Sequence, residues 1–86
     1  MKIVKISAIW CGACLITNKV WNELKKNYQF EFIEYDYDMD EDEVMKLSPG
    51  KVLPVFIFYK DDVEVKRLVG EVSYKELETT LLEVGV

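Results

Sequence analysis

The 86-residue chain has no histidine and only two cysteines, Cys11 and Cys14. A structural zinc centre generally takes four ligands, so a metal site at this pair is not expected; only a dimer sharing two pairs would complete one. No run of eighteen apolar residues exists, which leaves no candidate for a membrane-spanning helix. The apolar stretch at Met1 to Lys5 is too short and too interrupted for a signal peptide. Basic residues number 11 against 16 acidic ones, for a net charge of -5, and they form no cluster. That balance argues against nucleic acid or an anionic membrane as the main partner. The expectation is a soluble, cytoplasmic protein, monomeric by default. With 86 residues, half of them apolar, there is room for one core and therefore one domain, residues 1–86.

The pattern along the chain alternates strands and helices. Lys2 to Ile9 is rich in β-branched residues and short enough for a buried strand. From Cys11 to Asn27 the side chains Ala13, Thr17, Val20, Trp21 and Leu24, continued by Tyr28, follow the spacing of one helical face. Phe30 to Tyr37 interleaves aromatic residues with acids, as a strand with one partly exposed face would. Asp40 to Leu47 begins with acids and ends near Lys46, matching a helix dipole, and Ser48-Pro49-Gly50 stops it. Leu53 to Tyr59 is a strand with proline near its start. Lys60-Asp61-Asp62 turns the chain into Val63–Val69, its antiparallel hairpin partner, which Gly70 ends. Ser73-Tyr74-Lys75-Glu76 fits a capping box opening a last helix, with Leu77, Leu81 and Val84 facing inward. The predicted order is βαβαββα.

The chemistry lies in Cys11-Gly12-Ala13-Cys14, directly after the first strand and after Trp10. Thiols spaced i, i+3 at a strand-to-helix boundary can close a small disulfide ring, and the helix end favours negative charge on the first sulfur. A ring this small removes little unfolded-state entropy, so the pair is poorly placed as scaffolding and well placed for thiol-disulfide exchange.

Trp10-Cys11-Gly12-Ala13-Cys14, together with Leu53-Pro54, Val69-Gly70 and the terminal helix, resembles the thioredoxin family over essentially the whole chain. The likeness is to small members without the extra N-terminal strand and helix. It implies an α/β, thioredoxin-like fold: a four-stranded mixed sheet, first two strands parallel, with helices on both faces. It implies a protein-disulfide reductase in which an exposed Cys11 is the nucleophile and Cys14, one turn in and shielded, is the resolving thiol. It also implies a cis Pro54 beside the sulfurs, with Leu53 offering backbone groups to an extended substrate segment. Trp10 and Gly70 would flank the groove, Gly12 would allow close approach, and Ala13 stands where thioredoxins usually carry proline. On the residues alone, Trp10 reads equally as a core aromatic, Gly70 as a turn residue and Pro54 as an ordinary strand-start proline. The expected partners are disulfide-containing proteins and an upstream dithiol reductase of the thioredoxin reductase kind, with no bound cofactor.

One departure stands out. The family's buried acid, six residues before the first cysteine, is Lys5 here, and its partner lysine falls near Glu34. Lys5 and Glu34 are thus a candidate proton-transfer pair with exchanged charges; the alternative is that Lys5 extends to solvent from a strand edge. Asp36, Asp38 and Asp40 share the spacing of a calcium loop, but Glu41 stands where glycine is needed and Leu47 where the bidentate glutamate is needed. Two other functional readings compete. A glutathione-dependent glutaredoxin is disfavoured because Pro-Tyr is missing between the cysteines and Gly70 is single. A non-catalytic thioredoxin-fold binding module would tolerate Cys11→Ser, whereas an enzyme would not.

Overall fold

The computed structural model describes residues 1–85. The elements are β1 (Lys2–Ser7), α1 (Gly12–Asn27), β2 (Glu31–Asp36), α2 (Glu41–Leu47), β3 (Val55–Lys60), β4 (Val63–Val69) and α3 (Tyr74–Glu83). They form one four-stranded mixed sheet in the order β2-β1-β3-β4. β1 runs parallel to β2 and antiparallel to β3, and β3 pairs antiparallel with β4. The predicted element order and sheet type are those observed.

Alternation along β1 divides the core. Ile3 points to one side, where it meets Phe56 and Phe58 of β3, Trp21 and Leu24 of α1, and Leu77 and Leu81 of α3. Val4 and Ile6 point to the other, with Val55 and Ile57 of β3 and Val44 of α2. Helices thus cover both faces, as the right-handed crossover between parallel strands requires of at least one. Trp21 is 1 % exposed and lies within 6.3 Å, centroid to centroid, of Phe30, Phe32, Phe56 and Phe58, so an aromatic cluster anchors α1 to the sheet.

Several boundaries moved for identifiable reasons. β1 ends at Ser7, not Ile9, because the Ala8 carbonyl accepts the Cys11 N–H in a tight turn that begins α1. β3 starts at Val55, two residues later than Leu53, because Leu53-Pro54 forms a cis bend ahead of it. α2 is stopped by Ser48 in a left-handed conformation (φ 50°), before Gly50 is reached. The buried stripe of α1 is Cys14, Thr17, Trp21 and Leu24; Cys14 takes the place expected for Ala13 because it stands three residues before Thr17 and seven before Trp21, on the same helical face. At α3 the N-cap half of the box is in place: the Ser73 hydroxyl oxygen accepts the Glu76 N–H at 3.2 Å, and the hydroxyl donates to Glu76 Oε1 at 3.4 Å.

Candidate functional site

Cys11 is the N-cap of α1, and its Sγ accepts the backbone N–H of Cys14 at 3.2 Å. A free helix N-terminus carries unpaired N–H groups and partial positive charge. The first sulfur therefore sits where a thiolate is stabilised. Cys11 and Cys14 are joined as a disulfide, with their Cα atoms 5.3 Å apart. Cys14, 2 % exposed, lies deeper than Cys11. Thr17 steadies this turn by donating its hydroxyl to the carbonyls of Ala13 and Cys14.

Cys11 is not exposed as the sequence suggested; it is 7 % exposed. Its sulfur is bonded to Cys14, and Ala8 and Leu53 belong to the same apolar cluster. Leu53 is thereby brought beside the cysteines, with the cis Leu53-Pro54 bond next in the chain. The Pro54 carbonyl accepts the Gly70 N–H at 2.8 Å, which ties the end of β4 to this bend. Gly70 has φ 88°, a conformation that L side chains rarely adopt. Gly12 is exposed and Ala13 half-buried.

Trp10 is 63 % exposed, so the core-aromatic alternative is excluded. Its indole Nε1 donates to Asp38 Oδ2 at 2.8 Å, and its ring meets Tyr37 edge-on at 6.2 Å. Asp38 was missed as a neighbour of the site, since only the long-range pairing of β1 with β2 brings the two segments together. The other acids of that run have local work. Asp36 Oδ1 accepts the N–H groups of Asp38 and Met39, and Asp40 Oδ2 accepts that of Asp36, so these carboxylates shape the β2–α2 turn.

Lys5 does not extend to solvent. β1 is an inner strand, and Lys5 is 1 % exposed. Its Nζ donates to Asn18 Oδ1 on α1. Burial holds the amine below the ordinary lysine value of 10.5; Glu34 opposes that shift and Lys25 adds to it. Glu34 is the register partner of Lys5 on β2 but is exposed. The salt bridges among the described residues are Lys26–Glu23 and Arg67–Glu64, so the two are neighbours without being ion-paired.

The four-stranded mixed sheet carries a disulfide at a helix N-cap, an adjacent exposed Trp and a cis-proline bend whose Leu53 shares the apolar cluster of the cysteines. Residues 1–83 match the family model described as Thioredoxin. The chain belongs to the thioredoxin family. It is 32% identical over 71 residues to Thioredoxin Asp f 29 of Aspergillus fumigatus, covering 79% of this chain and 64% of that protein. It is 31% identical over 83 residues to the thioredoxin of Ovis aries, covering 95% and 77%. Among solved structures, the reduced thioredoxin pre-protein of Schistosoma mansoni superposes with a TM-score of 0.86 at 28% identity, covering 95% of this chain and 76% of that one. The chain spans about half to two thirds of the length of several curated thioredoxins that it matches. No helix among the described residues is long and apolar enough to cross a membrane.

Proposed function

We propose that this thioredoxin-family chain is a thiol-disulfide oxidoreductase that reduces disulfides in protein substrates by cycling Cys11 and Cys14. The observation that carries the reading is the Cys11–Cys14 disulfide at the α1 N-terminus, with Cys11 as the capping residue. In the reduced form the Cys11 thiolate attacks one sulfur of a substrate disulfide; a mixed disulfide forms and the other substrate sulfur leaves as a thiolate. Cys14, deprotonated, then attacks Cys11 Sγ. The ring closes, the second substrate sulfur departs, and two electrons have passed from the cysteine pair to the substrate. Helix-end stabilisation makes Cys11 the attacking thiol, and the depth of Cys14 reserves it for the second step.

Trp10, Gly12, Ala13, Leu53, Pro54 and Gly70 make up the surface on which the substrate chain rests. The exposed indole and the small residues around it leave room for an extended segment. Recharging the disulfide calls for an upstream dithiol reductase of the thioredoxin reductase kind. The proposed setting is the cytoplasm, with the protein acting as a monomer.

The test uses two variants and insulin as the disulfide substrate. Cys11→Ser abolishes reduction, whereas Cys14→Ser retains the first attack and accumulates a covalent mixed disulfide visible on a non-reducing gel. Reduction by Cys11→Ser at the wild-type rate would overturn the assignment. Failure of the wild type to reduce protein disulfides, with intact partner binding by Cys11→Ser, would favour a binding module.

A further inference from the structure

Lys5 is the one buried charged side chain among the described residues. It lies on the side of β1 facing α1 and α3, between Glu34 on β2 and Phe56 on β3 in the strand register. Across from it, α1 supplies Asn18, one turn beyond Cys14, or about 6 Å along the helix axis. The charged groups bearing on this amine are Glu34 from β2 and Lys25 from α1; α3 brings Leu77 and Leu81 to the same side of the sheet, and the buried Cys14 lies one turn before Asn18 on α1.

A buried cation ordinarily has a carboxylate against it, because an uncompensated one is costly. Lys5 has a neutral amide instead, and its nearest acid in register remains exposed. In the disulfide form Cys14 is neutral. When the ring is open, negative charge can arise at two points on this end of α1: on Cys11 at the cap and, one turn before Asn18, on the more deeply buried Cys14.

We propose that the Cys14 thiolate is the counter-ion of Lys5, so that the buried amine is a positioning residue for the resolving step and favours the open form of the pair. This rests on the dithiol cycle proposed above. As Cys14 loses its proton to solvent, its charge and that of the Lys5 ammonium stabilise each other. The thiolate then forms the bond to Cys11 Sγ, the bond between Cys11 and the substrate sulfur breaks, and the charge departs on the leaving sulfur. Lys5 thus assists the ion that attacks and is left uncompensated again when the ring has closed.

Mixing the reduced protein with 5,5'-dithiobis(2-nitrobenzoate) in a stopped-flow instrument tests this. Two equivalents of nitrothiobenzoate are released in turn, the first by attack of Cys11 and the second by attack of Cys14. In Lys5→Met the second phase should be about tenfold slower at neutral pH, with its pH profile displaced upward by about one unit, while the first phase moves less. In a glutathione redox buffer the same variant should shift about tenfold towards the disulfide. Met keeps the length and packing of the chain, so a merely structural role leaves both readouts unchanged. A second-phase profile superimposable on that of the wild type would overturn the proposal. Absence of a second phase in the wild type would instead overturn the dithiol cycle itself. Should Lys5→Met fail to fold, Asn18→Ala, which removes the amine's anchor, must weaken the pH coupling of the second phase for the proposal to stand.

Discussion

Replacing Lys5 by Met should make the folded chain more stable while slowing its chemistry. The ammonium has three donors and one observed acceptor among the described residues, Asn18 Oδ1, in a site 1 % exposed. A buried donor without a partner costs about 1–3 kcal/mol, and a well-packed apolar replacement of a buried charge is commonly neutral or stabilising. The expected gain is thus about 1–3 kcal/mol. For a chain of this size it corresponds to a rise in Tm of roughly 4–8 °C per kcal/mol. The pH dependence carries a second signature. The folded chain holds this amine below 10.5 and the unfolded chain does not, so unfolding takes up a proton between the two values. Stability contributed by this position therefore rises with pH across that interval, up to the ordinary lysine value, and is lowest below the folded one. The variant lacks this rise. Urea unfolding at several alkaline pH values, with an unchanged m-value, measures both effects. A variant no more stable than the wild type at pH 7, or with the same alkaline rise, would refute the reasoning about the buried amine.

Two further predictions concern the support of the site. Leu77 is fully buried between α3 and the sheet, so Leu77→Ala should cost about 2–5 kcal/mol by denaturant unfolding; a loss below about 1 kcal/mol would show that this core collapses around the void. Ser73→Ala removes the side-chain acceptor of the Glu76 N–H and should cost about 1 kcal/mol, with Ser73→Gly costing only a few tenths, both read from urea midpoints.

The fold was legible because its signals were local and mutually consistent. β-branched runs marked β1 and β3, the capping box at Ser73 marked α3, and the two acids after Lys60 marked the hairpin, where Asp61 and Asp62 both adopt positive φ. What escaped the sequence reading depends on which strands are neighbours. For Lys5 the choice between a buried position and one extending to solvent is settled only when β1 is known to run between β2 and β3. Its contact with Asn18 spans thirteen residues. The Trp10–Asp38 hydrogen bond likewise joins positions 28 apart, which no motif spacing indicates. The cysteine pair was legible as chemistry, whereas the burial of Cys11 involves Ala8 and the distant Leu53, which the fold gathers into the same apolar cluster.

The central claim is that Cys11 and Cys14 act together as a reversible two-electron couple. Equilibrating the protein across a series of dithiothreitol or glutathione redox buffers, with the fluorescence of the neighbouring exposed Trp10 as readout, tests this most directly. The account predicts one cooperative two-electron transition, with a midpoint near ~-270 mV for a disulfide reductant. The absence of any such transition, with the thiols oxidising independently or not at all, would contradict it.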